Sequence, residues 1–342
     1  IDLLEGTELR LHGSDPLMLF TIKEVASVAN QTGRRAFAES FGVAGWDSTF
    51  EHYKRMGDWL MAHGINFFSQ HGVFATVRGA RKRDHPQSFS DHAAWWPYYR
   101  LHADQAARVS FALWQGEAKN RLLVLQPTTS GFLWARASGP TPELDQLRDS
   151  HPKLVQFLAD RQMDFDLGDE YLMDWLGDAG GGGLRIGKAE YQLVIWPRGM
   201  ANVRRQTAGL LERYLAGGGE ILALETAPVL VDGRPGDAIE RLRARFPRQW
   251  RTVADLPALV AEIQRRLPPR VQFREAARPN VGHHQRFLAN GDAVHFFANS
   301  GLAPVDLHVR TPGGAVEEWN AESGTMLAVR YERGADGWTE FA

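Results

Sequence analysis

Residues 34–71 read RRAFAESFGVAGWDSTFEHYKRMGDWLMAHGINFFSQH. A short apolar run, RRAFAES, ends on the carboxylate of Glu39 and breaks into a glycine-bearing turn. WDSTFEHYKRMGDWLMAHG then has helical spacing. Phe50, Tyr53, Gly57, Leu60 and Met61 share one face. Ser48 and Glu51 stand at capping-box spacing ahead of that face. INFFSQHG is the next apolar run, ending at His71. Strand, helix, strand implies two parallel strands joined by a crossover.

The pattern extends outward on both sides. SDPLMLFTIKEVASVANQTG has a Ser/Asp cap, a proline in the first turn and Gly33 at its end, so it reads as a helix. After His71 comes a long polar loop, residues 72–92, and then a helix from about Ala94 to Gln115. This alternation predicts parallel β/α units over residues 1–117, either a portion of a (β/α) barrel entered midway or a smaller fold. In such folds the chemistry sits at the carboxyl ends of strands, where Glu39 and His71 fall. Only about two units are present, whereas a closed barrel has eight.

Near residue 118 the character changes. RLLVLQP, a helical stretch over 142–160, YQLVIWP, a helix over 203–216 and GGEILALE predict an open parallel sheet of the flavodoxin kind over 118–275. GDAGGGGLRIG at 177–187 reads as a turn-rich connection. It is not a dinucleotide fingerprint, because it lacks GxGxxG after a strand. From 276 to 342, short alternating runs separated by Asn-Gly, Gly-Gly and Ser-Gly predict a β-sandwich segment.

Composition bounds the chemistry. The 342 residues are 44% hydrophobic and 23% charged, with a net charge of −2. That balance gives no reason to expect nucleic acid as a partner. With no cysteine, disulfides, thiolate metal sites and a thiol nucleophile are excluded. No apolar run reaches the roughly 20 residues of a membrane span. Six of the 11 tryptophans fall before residue 135, and exposed indoles suit the C–H faces of sugars as well as core packing.

The candidate site residues follow from position. Glu39 at a strand end can be a nucleophile or general base in glycoside hydrolysis; a buried, structural pairing with Arg34, Arg35 or a loop arginine is the alternative. Asp47 and Glu51, one helical turn apart, line a site or begin the helix. The loop SQHGVFATVRGARKRDHPQSF carries His71, Arg78, Arg81, Lys82, Arg83, Asp84 and His85; its arginines and histidines either hydrogen-bond sugar hydroxyls and tune a carboxylate, or the stretch is a solvated basic loop packed on the neighbouring domain. HAAWWPYYR either walls a cleft or packs the last helix. The 12 histidines include no HExxH, and His283 and His284 are neighbours on a strand, facing opposite sides. No GxSxG elbow is present.

The run AESFGVAGWDSTFEHYKRMGDWLMAHGINFFSQHGVFATVRGARKRDHPQSFSDHAAWWPYYR, continuing through ADQAARVSFALWQGEAKNRLLVLQPTTSGF, resembles the end of the catalytic barrel in large bacterial glycoside hydrolases of the α-L-rhamnosidase type, family one hundred and six. YQLVIWP followed by LLERYLAGGGEILALETAP is similar to the flavodoxin-like or amidotransferase-like domain behind that barrel. HHQRFLANGDAVHFFANSG and GAVEEWNAESG are similar to its next β-domain.

The resemblance implies an inverting glycosidase acting on rhamnoside-like oligosaccharides or glycosides of plant or bacterial glycans. Glu39 would be the general base at the seventh barrel strand. His71 would sit at the end of the eighth strand, near the sugar, and a calcium ion would lie near it; Trp46, Asp47, Arg78 and Arg81 are candidate substrate contacts from their position and chemistry alone. The amidotransferase-like domain would be non-catalytic, for want of a thiol. The upstream half of the barrel, with the second carboxyl group, would precede Ile1, and the protein would be periplasmic or secreted. Two other readings share these residues: a non-catalytic carbohydrate-binding or scaffold fragment, and a glycosidase of different sugar specificity.

Overall fold

The computed structural model describes residues 16–274 and 280–342. Helix α1 (Pro16–Thr32) buries Leu19, Ile22, Ala26 and Ala29, a stripe at three- and four-residue spacing. The expected Ser14/Asp15 cap lies outside the described residues. Gly33, at φ +67°, ends the helix in the left-handed conformation that favours glycine. Strand β1 (Phe37–Ser40) pairs in parallel with β2 (Phe67–Gln70), in the register Phe37 to Phe67 and Glu39 to Ser69. The crossover is α2 (Phe50–Ala62), whose inner face is Tyr53, Met56, Gly57, Leu60 and Met61.

The cap of α2 falls one residue later than expected. Ser48 is buried and donates its hydroxyl back to the Ala44 carbonyl at 2.6 Å, so it belongs to the preceding turn. Thr49 is the extended residue before the helix, and its capping box closes with His52 rather than Glu51. The last helix of this region also starts later. A 3-10 turn at Trp96–Tyr98 precedes α3 (Tyr99–Trp114).

The central sheet has five parallel strands: β3 (Leu122–Leu125), β4 (Phe165–Gly168), β8 (Leu193–Trp196), β10 (Glu220–Ala223) and β12 (Trp250–Thr252). Their spatial order is β12-β10-β8-β3-β4, the order of doubly wound flavodoxin-type sheets. Alternate residues serve two cores. Leu122 and Val124 face one, with Leu19, Tyr53 and Leu154; Leu123 and Leu125 face the other, with Tyr191 and Tyr214. The first core runs without a break from α1, β1 and α2 into this sheet. Helix α1 also covers the β4 edge: Ser27 accepts from Leu167 N at 2.8 Å, and Gln31 donates to Leu167 O at 2.9 Å.

Helices α4 (Thr128–Trp134), α5 (Pro142–Ala159), α6 (Glu170–Leu176), α7 (Arg205–Ala216), α8 (Ala238–Arg245) and α9 (Leu256–Arg266) connect the strands of this region. The glycine run at 177–187 is ordered strand rather than a loose connection. β5 (Gly177–Gly180) and β6 (Gly183–Ile186) form a hairpin, and β7 (Ala189–Tyr191) joins them. Gly181 and Gly182 both have positive φ, at +59° and +79°, as a two-residue hairpin turn requires.

Two further parallel pieces, β9 (Asn202–Val203) and β11 (Leu230–Val231), pair with each other. The C-terminal region is antiparallel throughout its paired strands. β14 (Val281–Phe287) pairs with β15 (Ala293–Asn299), and β17 (Glu317–Asn320) with β18 (Thr325–Ala328). A four-stranded sheet combines β13 (Gln272–Phe273), β16 (Val309–Pro312), β20 (Trp338–Phe341) and β19 (Tyr331–Arg333). Among the described residues no helix is long and apolar enough to cross a membrane.

Candidate active site

The β1–β2 pair has two unlike faces. Ala38 and Ser40 are fully buried. Phe37 and Glu39 alternate with them on the opposite face, next to Phe67 and Ser69 in register. That face is open: Phe37 and Phe67 remain 40% and 45% exposed, with ring centroids 5.6 Å apart.

Glu39 is half-buried, and its carboxylate makes no hydrogen bond or ion pair with any described residue. The arginine pairing considered from sequence does not form with either neighbour. Arg35 instead bonds Asn66 O and Ser110 Oγ, both at 2.7 Å, and lies over the rings of Phe67 and Trp114.

Beyond Ser40 the chain turns through Phe41 and Val43, both with positive φ. Phe41 is fully buried and anchors this turn in an aromatic cluster with Tyr53, Phe68, Phe89 and His102. His71 follows β2 and is tied to β1 through its backbone N–H, which donates to Ser40 O at 2.9 Å. Its ring meets His85 edge-on, with centroids 5.5 Å apart, and its buried Nδ1 has no partner.

The loop after His71 is fastened to the turn after β1. Trp46 donates its indole N–H to Lys82 O at 2.6 Å. Gly45 N donates to Pro86 O at 3.1 Å, and Gln87 Nε2 donates to Phe41 O at 3.0 Å. Trp46 stays 37% exposed and meets Phe74 edge-on. Glu39 and His71 thus lie toward the carboxyl ends of two paired strands, and Trp46 lies on the turn that follows the first of them. Asp47 is exposed beside Trp46, and Arg78 and Arg81 are exposed on the fastened loop.

Sequence reasoning missed Gln87, Phe74 and a knot of Ser88, Ser90 and His92, in which the two hydroxyls lie 2.8 Å apart and Ser90 lies 3.1 Å from the imidazole. Only the polar run QSFSDH hinted at them. The HAAWWPYYR stretch divides its work. Trp95 and Tyr99 pack against Phe89, while Trp96 and Tyr98 face outward. Burial raises the Tyr99 phenol above its ordinary range, and burial with the nearby Lys54 charge lowers the His102 imidazole to about 4. Neither group is a ready proton carrier near neutral pH.

Among the described residues, no group of three or more His, Asp or Glu could hold a metal ion. The described residues by themselves therefore offer calcium no cage of carboxylates. What the arrangement offers is a single unpaired carboxylate, an imidazole and an indole face around an open strand end. That set can take a proton from water and stack a sugar ring.

No protein-family profile matches the sequence, and no curated protein does. Solved structures do match. A rhamnosidase from Novosphingobium sp. PP1Y superposes with a TM-score of 0.73 at 18% identity, over 95% of this chain and 32% of its own. A GH42 β-galactosidase, Gan42B, gives 0.59 at 12% identity, over 93% and 56%. A catalytic mutant of it from G. stearothermophilus gives 0.58 at 11%, over 97% and 58%. The chain spans about a third of the rhamnosidase and somewhat over half of the β-galactosidase. At these identities the likeness is one of fold: this is a mixed α/β chain built like part of a glycoside hydrolase.

Proposed function

We propose that this chain carries part of the active site of a glycoside hydrolase, acting on a rhamnoside-like glycan by inversion, with Glu39 as general base. The observation that carries the reading is Glu39 itself. It is an acid without a counter-charge, on the open face of β1 and next to Ser69 in register. A buried structural glutamate would be paired. The fold likeness to a rhamnosidase and a β-galactosidase supports the same class.

In this reading Glu39 takes a proton from a water whose oxygen attacks the anomeric carbon. The glycosidic C–O bond breaks, and the leaving oxygen takes a proton from a second carboxyl group. For inversion that group stands about 6.5–9.5 Å away. It belongs to further β/α units, which would also cover Phe37 and Phe67. Those rings are more exposed than parallel strands, normally buried on both faces, leave their apolar residues. A glycan substrate places the enzyme in the periplasm or outside the cell.

A second reading is favoured by one fact: Glu39 is the sole carboxylate on the paired strands β1 and β2. It is a sugar-binding fragment without turnover. A panel of nitrophenyl glycosides, including α-L-rhamnoside and β-galactoside, separates the readings when applied to the complete polypeptide containing this sequence. Release from one glycoside supports hydrolysis and names the sugar. Binding without release from any supports the second reading.

A further inference from the structure

We infer that the loop after β2 is a subsite for acidic sugars, so that the glycan bound at this site carries carboxylate or sulfate groups next to the sugar cleaved. The inference rests on the glycosidase reading and adds the charge of the substrate. Residues 78–83, RGARKR, place Arg78, Arg81, Lys82 and Arg83 on a single 3-10 turn and its leading residue. Asp84 is the one acid within residues 72–90.

None of the four cationic side chains has an ion pair or hydrogen bond with a described residue. Some cations elsewhere are paired, such as Arg204 with Asp174 at 2.7 Å and Arg266 with Glu220 at 2.7 Å. Four unpaired cations within six residues make a patch of like charge that an anion arriving from outside can balance.

The loop is also held in place. The Lys82 carbonyl is bonded by Trp46, Pro86 O by Gly45, and Phe74 N by Ser88 Oγ at 3.0 Å. The charges therefore stand at a fixed position beside the indole that would stack the sugar, which lowers the ordering cost of binding. Arginine suits the task because its planar fork meets a carboxylate or sulfate through two parallel hydrogen bonds.

The test uses the complete polypeptide and calorimetric titration at low salt with three probes. These are a galacturonic acid trisaccharide, the neutral galactose trisaccharide of the same linkage, and its sulfated form. The acidic probes should bind about 10-fold or more tightly than the neutral one, with an advantage that shrinks as salt rises. The more tightly bound acidic probe identifies the natural anion. Combined Arg78→Gln, Arg81→Gln, Lys82→Gln and Arg83→Gln changes, all at exposed positions, should bring the three affinities together. Equal binding of neutral and acidic probes by the native protein overturns the acidic subsite and leaves the glycosidase reading standing. Binding of none of the probes overturns the acidic subsite and leaves the glycosidase reading to the nitrophenyl glycoside panel. Polyglutamate bound as tightly as galacturonate, with the same salt dependence, shows a general polyanion patch and overturns the inference.

Discussion

The imidazole of His71 occupies the room that a side chain at residue 42 would need: a Cβ built on Gly42 would stand 3.1 Å from His71 Nδ1. Gly42 does not have a positive φ, so its backbone accepts alanine without strain, and the only obstacle is the ring. Gly42→Ala should push His71 outward by a few tenths of an ångström. In the complete enzyme this should lower kcat/KM by about 10-fold, since small displacements of a site group are costly. Stability should change by less than about 1 kcal/mol. Steady-state kinetics and a thermal melt together check this. Unchanged kinetics would show that His71 does not touch the substrate.

Glu39 has no described partner to lose, which separates chemistry from structure in a single substitution. Glu39→Gln keeps the shape and removes the base. Turnover should fall by roughly 10²–10⁴-fold, with glycoside binding retained and the melting temperature unchanged or slightly raised. Near-native turnover would end the assignment of Glu39 as base.

The part of this site that lies along the chain is legible in the sequence; the part made by contact across it is not. An apolar run closed by a carboxylate and another closed by a histidine mark two strand ends, because parallel strands are bounded apolar segments. Local pattern alone therefore puts Glu39 and His71 at neighbouring strand ends. The bond from Gln87 to Phe41 O spans 46 residues, and no local pattern encodes it. The glycine run misleads for a related reason. Gly181 and Gly182 make a tight hairpin, but strands built on glycine lack the side-chain alternation that announces a strand. The α2 cap slips by one residue because Ser48 and Thr49 are both good capping residues, and only the Ser48 bond to Ala44 O decides between them.

Trp46 holds the cationic loop through one hydrogen bond, 2.6 Å from its indole nitrogen to Lys82 O. Trp46→Phe retains an aromatic face and removes the donor. The substitution should cost about 1 kcal/mol. It should also loosen the turn at Gly79–Arg83, where every residue is exposed and three are trypsin targets. Trypsin should then cut within residues 78–83 several-fold faster than in the native protein, as local opening would allow. Limited proteolysis followed by mass measurement reads this directly. An unchanged rate would mean that Gly45, Gln87 and Ser88 hold the loop without the indole.

Burial keeps several histidines neutral, and this sets the direction of the pH dependence. His102, His151 and His295 are lowered to about 4 and His283 to about 3, with burial as the leading cause in each; His283 also lies beside His295, with 3.3 Å between ring nitrogens. Unfolded, each ring titrates near 6.5, so between about pH 6.5 and 4 the unfolded chain binds more protons than the folded one. The stabilisation from keeping these rings neutral is complete above about pH 6.5 and is lost as pH falls toward 4. Full protonation costs on the order of 3 kcal/mol for a ring lowered to about 4. Urea unfolding should therefore give a flat stability above about pH 7 and a steep decline below 6. His151 isolates the effect. Its two ring nitrogens are buried without partners and its ring lies edge-on to Phe20, so no hydrogen bond is sacrificed by replacing it. His151→Leu should leave stability at pH 7.5 equal or higher and make the decline between pH 6 and 4 shallower. A slope identical to the native one would show that His151 is not among the groups that drive acid unfolding.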